Sequence, residues 1–300
     1  MKKARIILGI LCAVIMVGGG LYIRNVQKNK DVEGPVLQAE TDDITVSIKA
    51  SDQKLIQGVS AVDDVDGDVS DTILIEDVEK KENGAPNEFL ITYAAFDQAN
   101  NTGTLTRTLY YTDYEQPHFI LEQPLRFPEN KMVSLLSYFQ VEDCIDGDIS
   151  VFVTMEGSKE LLKETPQKGF YDVNLSVTNS VGDTAELPIQ VEIYEDSYEE
   201  QTMRPKVALN QYIVYLKQGQ GFDPNSYLDY VQDGGMMQID FGTEEENEGV
   251  PTGSPEVDIS RIRIESDVDN STKGVYSVVY SYTSERTGYD CNTRLIVVVE

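Results

Sequence analysis

Apolar and polar residues alternate with period two over three pairs of segments. The pairs are 89–96 with 103–111, 171–177 with 185–193, and 275–282 with 293–299. This alternation, with its β-branched and aromatic enrichment, predicts half-buried strands. A polar turn joins the members of each pair, at Asp97 to Asn101, at Asn179 to Asp183 and near Gly288, so each pair predicts a β-hairpin. Each hairpin follows a proline-led apolar strand: Pro35-Val36-Leu37, Pro117-His118-Phe119-Ile120-Leu121 and Pro205-Lys206-Val207-Ala208-Leu209. Frequent turn signals between short strands predict sandwiches rather than one long meander. No amphipathic helix is predicted outside the N-terminal apolar run.

Between each opening strand and its hairpin lies an acidic phrase. Asp63-Asp64-Val65-Asp66-Gly67-Asp68-Val69-Ser70 returns 80 residues later as Asp143-Cys144-Ile145-Asp146-Gly147-Asp148-Ile149-Ser150, and decays to Asp233-Gly234-Gly235. A fixed period of this size marks an array of like modules. The expected organisation is all-β: three tandem Ig-like β-sandwiches, at 36–113, 117–195 and 205–300, behind one N-terminal transmembrane helix at 1–24 and a linker at 25–35. The third module is divergent and carries an acidic loop insertion at 242–255. The short polar links at 111–116 and 194–204 predict a semi-rigid rod.

The run Ile91-Thr92-Tyr93-Ala94-Ala95-Phe96-Asp97-Gln98-Ala99-Asn100-Asn101, following the acidic phrase, resembles the bacterial immunoglobulin-like module named after a pesticidal crystal protein. That module is related to hyalin-repeat and cadherin-like sandwiches. Its hairpin pattern is met at Tyr93, Ala95, Asp97, Ala99 and Asn101, with Asn100 where a glycine is usual. The second repeat keeps Gly182 but has Asn179 in place of the aspartate. The resemblance covers 36–195 well and 205–300 weakly. It implies an Ig-like sandwich on an exported bacterial protein and implies no activity, because a fold of this kind serves many functions.

The uncharged stretch Ile6 to Ile23 follows Lys2, Lys3 and Arg5 and is long enough to cross a bilayer at about 1.5 Å per residue. It is expected to anchor the chain in the cell membrane with the modules outside; the alternative is secretion after cleavage of a signal peptide near Gly18 to Gly20. Attachment is expected at this N-terminal end, since no wall-sorting pattern follows Val297-Val298-Val299-Glu300. Charge sharpens the picture. The first 30 residues hold six of the 24 bases and no acid, leaving 18 bases against 52 acids in the remainder. Such a surface repels nucleic acid and anionic headgroups, which removes nucleic acid from the partners. Three cysteines, Cys12, Cys144 and Cys291, are too few for a disulfide framework and predict free thiols.

The acidic phrase holds the only specific chemistry. Clustered carboxylates are hard oxygen ligands suited to calcium. The candidate ligands are Asp64, Asp66, Asp68 and Asp97 in the first module. Asp113 and Glu115 before Pro117 would join Asp143, Asp146 and Asp148 in the second. Asp66 and Asp68 are expected to approach Asp97 and Asn101. The competing reading is that these side chains cap tight turns around Gly67 and Gly147 without a metal. No other cofactor is expected. A single histidine, His118, gives no catalytic pairing or zinc spacing, so no enzyme is expected. The third module holds eight of the 17 tyrosines: Tyr212, Tyr215, Tyr227, Tyr230, Tyr276, Tyr280, Tyr282 and Tyr289. They suggest that this distal module binds a protein or cell-surface ligand. The alternative is a structural spacer or assembly subunit of an envelope complex.

Overall fold

The computed structural model describes Gly19 and residues 31–233, 238–240 and 259–300. The predicted anchor, Gly19 apart, and the 242–255 insertion lie outside the described residues. Among the described residues no helix is long and apolar enough to cross a membrane. The chain divides into two compact units, one ending at Tyr114 and the other running from Glu115 to Glu300.

The first unit holds β1 (Val36–Ala39), β2 (Asp43–Val46), helix α1 (Asp52–Ile56), β3 (Val59–Asp63), β4 (Gly67–Asp68), β5 (Leu74–Lys80), β6 (Glu88–Phe96) and β7 (Thr102–Tyr111). One sheet has the order β1-β3-β4 and the other β2-β7-β6-β5, with β2 parallel to β7. The opening strand is thus split in two, its first half pairing with one sheet and its second half with the other. Period-two alternation turns Phe89, Ile91 and Tyr93 of β6 inward, and all three are fully buried. Leu37, Ala61, Val69 and Leu109 join them in this core.

The second unit repeats this strand order twice. Its first half contains β8 (His118–Leu121), β9 (Arg126–Pro128), β10 (Phe139–Asp143), β11 (Gly147–Asp148), β12 (Thr154–Gly157), β13 (Gly169–Thr178) and β14 (Thr184–Tyr194). Helix α2 (Tyr198–Thr202) follows. Then come β15 (Lys206–Leu209), β16 (Ile213–Leu216), β17 (Leu228–Gln232), β18 (Gln238–Asp240), β19 (Arg263–Ser266), β20 (Gly274–Thr283) and β21 (Asp290–Val299). The sheets are β8-β10-β11 with β9-β14-β13-β12, and β15-β17-β18 with β16-β21-β20-β19. β9 and β16 are parallel to β14 and β21, as β2 is to β7. The same seven-strand order, found three times among the described residues, is a tandem Ig-like arrangement. α1 and α2 are five residues each, too short for the helical periodicity that sequence reading relies on.

Within the second unit the two sandwiches share one continuous core, from Phe119 and Leu121 through Val207, Leu209 and Tyr212 to Val299. The backbone N–H of Tyr212 donates to the Leu121 carbonyl at 3.0 Å, and that of Phe119 donates to the Tyr215 hydroxyl at 2.7 Å. His118 stacks on Tyr215 with ring centroids 3.8 Å apart. The link at 194–204, read from sequence as a polar linker, holds α2 and contributes Glu200 and Arg204 to a charged quartet with Arg126 of β9 and Glu192 of β14. Arg126 bonds Glu192 at 2.6 Å and Glu200 at 2.8 Å, while Arg204 bonds Glu200 at 2.5 Å.

Candidate functional site

The repeated acidic phrase forms the same turn in both units, and each residue type has a local reason. Asp63 Oδ1 accepts the backbone N–H groups of Val65 and Asp66, both at 2.9 Å. Asp143 Oδ1 does the same for Ile145 and Asp146 at 2.8 Å. Gly67 and Gly147 sit at φ of 77° and 73°, a region that costs glycine nothing. Asp68 and Asp148 then accept the N–H of Ser70 and Ser150 at 3.0 Å. The serine hydroxyls in turn accept from the N–H of Ala61 and Val141. Asp66 reaches across to the final hairpin turn, where Oδ2 accepts the Gln98 N–H at 2.8 Å. Asp146 accepts both the N–H and the hydroxyl of Ser180, at 2.6 and 2.7 Å.

The candidate ligands therefore separate. Asp66 and Asp97 come together. Asp64 is exposed, pointing away from Asp63 by strand parity, and Asp68 is occupied with Ser70 rather than with the hairpin turn. Asp113 lies beyond the far end of β7, bonded to the Ser47 hydroxyl at 2.7 Å and the Ile48 N–H at 2.8 Å. Those two bonds hold its carboxyl below the usual carboxylate range. Glu115 meets Cys144 through its backbone, its carbonyl accepting from Sγ at 3.1 Å. Asp143, Asp146 and Asp148 have their oxygens engaged in turn bonds.

Two residues missed in the sequence complete the cluster in the first unit. One carboxylate oxygen from each of Asp31, Asp63, Asp66 and Asp97 lies within 4.8 Å of every other. Asp63 and Asp97 are only 3% and 6% exposed. Asp97 is fixed by Asn101, whose N–H donates to Oδ1 at 2.8 Å and whose side-chain amide donates to Oδ2 at 2.7 Å. Burial opposes its charge, but these donors outweigh burial and hold its carboxyl below the usual range. Asp31 is pushed the other way, first by burial and then by the charges of Asp63, Asp97 and Asp64. Asp31 Oδ2 and Asp63 Oδ2 are both buried without a hydrogen-bond partner. Among the described residues no lysine or arginine pairs with any of the four.

Two glycines bring Asp31 there. A Cβ on Gly34 would lie 2.4 Å from the Thr102 carbonyl oxygen, and one on Gly103 only 1.7 Å from that of Pro35. The backbones at 34–35 and 102–103 thus lie against each other with no room for a side chain, beside the Asp97–Asn101 turn. Strand parity was the signal for Asp63: Ala61 is apolar and inward, so Asp63, two residues on, shares its face. Nothing local marked Asp31.

The tyrosines of 205–300 are placed differently from surface anchors. Tyr212, Tyr280 and Tyr282 are buried, and Tyr215, Tyr227, Tyr230, Tyr276 and Tyr289 are partly buried. Among the described residues, no large apolar side chain of 205–300 is among the exposed ones, whereas Val151, Phe152, Leu162 and Phe170 of the preceding sandwich are exposed.

No protein-family model and no curated protein matches the chain. Among solved structures it is similar to the catalytic domain of Clostridium perfringens ZmpB with its two CBM51 domains, at 11% identity and a TM-score of 0.23. That match covers 88% of this chain and 30% of the other, so the chain spans under a third of that structure. It is similar to Drosophila N-cadherin EC1-3 at 12% identity and a TM-score of 0.25, covering 76% of this chain and 88% of that one. The lipoprotein BT2262 from Bacteroides thetaiotaomicron matches at 10% identity and a TM-score of 0.19, over 87% and 98% of the two chains. Likenesses with TM-scores this low say nothing about activity or ligand.

Proposed function

We propose that this chain is a non-catalytic Ig-like array of the bacterial envelope, anchored through Ile6 to Ile23 and built to hold a rigid two-sandwich body outside the membrane. The crystal-protein-type resemblance at 36–195 and the acidic balance outside the first 30 residues support the envelope setting. The observation that carries the structural role is the single core running through 115–300, sealed by the Tyr215–His118 stack and the Arg126–Glu192–Glu200–Arg204 quartet. Interfaces between domains of one chain are by default mobile unless they are large and apolar. This one continues the core itself.

Scanning calorimetry of residues 31–300 tests the reading. Two transitions are expected, one per compact unit, because sandwiches that share a core unfold together. Three independent transitions would reject a rigid body. Binding of a protein ligand is the second reading, and the exposed pair Val151 and Phe152 favours the second sandwich as its site over the distal one. Capture of a partner from an envelope extract that is lost in Val151→Glu/Phe152→Glu, with the calorimetric transitions unchanged, would establish it.

A further inference from the structure

The two copies of the acidic phrase share a turn but differ in what faces it. In the second unit the Asn179 side-chain amide donates to Asp143 Oδ2 at 3.1 Å, and its Oδ1 accepts the Asp183 N–H at 2.9 Å. The Gln116 amide approaches both Asp183 oxygens at 3.3 Å. The second copy is thus satisfied by amide donors. In the first unit the position of Asn179 is held by Asp97, and that of Asp183 by Asn101, which is turned to Asp97. The atom matching Asp143 Oδ2 is Asp63 Oδ2, which is buried and has no donor. In place of a second amide, this copy receives a further carboxylate, Asp31, whose buried Oδ2 is also without a donor. A buried carboxylate oxygen lacking a donor is costly, and Asp31 and Asp63 each carry one in a cluster of four carboxylates that repel one another.

We propose that Asp31, Asp63, Asp66 and Asp97 bind one calcium ion, which takes the place in the first unit that the Asn179 amide takes in the second. The geometry suits this cation. Oxygens bound to one calcium at about 2.4 Å lie no more than about 4.8 Å apart. One carboxylate oxygen from each of the four lies within 4.8 Å of every other, inside that limit. All ligands are hard oxygens, and calcium's need for six to eight donors is completed by bidentate carboxylates and water. The ion also has a mechanical consequence. Asp31 precedes β1, Asp63 and Asp66 belong to the turn after β3, and Asp97 opens the final hairpin turn. One calcium therefore ties the segment entering the unit to both turns at that end of the sandwich.

Calorimetric titration of the full-length chain with calcium chloride tests the site. One saturable site is expected, with Kd of about 10⁻⁴ to 10⁻³ M as in other extracellular modules. Asp31→Asn, which removes a ligand but only one exposed turn bond, should weaken binding by about tenfold or more. Asp97→Asn, which copies the residue already present at Asn179, should abolish it. Asp146→Asn should leave affinity unchanged. Calcium should also raise the melting transition of the first unit alone in the parent chain and not in Asp97→Asn. Absence of saturable heat, equal affinity in the parent and both first-unit variants, or tighter binding of magnesium than of calcium would overturn the assignment.

Discussion

Arg107 Nε donates to the Tyr93 hydroxyl at 2.8 Å inside the core of the first unit, where the arginine is only 5% exposed. The hydroxyl donates onward to the Leu55 carbonyl at 2.8 Å, and Arg107 Nη2 reaches that carbonyl at 2.6 Å and the Gln57 carbonyl at 3.3 Å. A buried cation is thus satisfied by a phenol and two backbone carbonyls at the end of α1. Burial also raises the Tyr93 hydroxyl above its ordinary range, despite the neighbouring guanidinium.

Removing that hydroxyl should therefore cost more than a surface bond. Tyr93→Phe leaves Arg107 Nε without its acceptor and is expected to destabilise the first unit by about 1–3 kcal/mol. Urea unfolding followed by circular dichroism reads this as a lower midpoint at constant slope. An unchanged midpoint would mean that water already serves the arginine.

Gly103 allows the backbone contact that delivers Asp31. Gly103→Ala must push the Pro35 carbonyl aside, since its Cβ would lie 1.7 Å away. Overpacking of this kind typically costs about 1–3 kcal/mol. The first melting transition should fall and calcium affinity should fall with it. Gly67→Ala, whose Cβ meets nothing, carries only the strain of a φ of 77°.

Cys291 is 4% exposed on β21, and burial pushes its thiol up to about 11. The thiolate is the reactive form, so the native residue should resist alkylation at pH 8. Cys144 is partly exposed, although burial raises its thiol too, and should label first. Iodoacetamide treatment with peptide mapping should find Cys144 modified and Cys291 intact until denaturant is added. Equal labelling rates in the native protein would show that β21 opens readily.

Glu300 Oε2 lies 3.2 Å from His118 Nε2, and this bond, helped by His118, Lys217 and Lys273, holds its carboxyl below the usual range against partial burial. A carboxyl depressed in the folded state contributes stability above its unfolded value and loses it as pH falls through the folded one. The melting temperature of the second unit should therefore drop as pH is lowered through the carboxylate range, below about 4.3. Glu300→Gln should flatten that part of the profile, and an identical profile in the variant would remove the bond from the acid limb.

The three hairpins, their turns and the all-β class were legible in the sequence because each depends on residues close together in the chain. Alternation over 89–96 or 275–282 needs only the pleat of one strand, and the Asp63-to-Ser70 turn closes through bonds spanning at most nine residues. Tertiary structure decided which aspartates meet. Asp64 was favoured over Asp63 in the sequence, yet parity turns Asp63 inward. Asp31 joins Asp97 only because Gly34 and Gly103 let two distant backbones touch. The shared core of 115–300 is likewise invisible to periodicity: inward positions such as Leu121 and Tyr212 alternate correctly whichever sandwich covers them. The chain's local patterns specify faces and turns. Which face covers which, and which carboxylates are left without a donor, is settled by contacts between residues far apart in sequence.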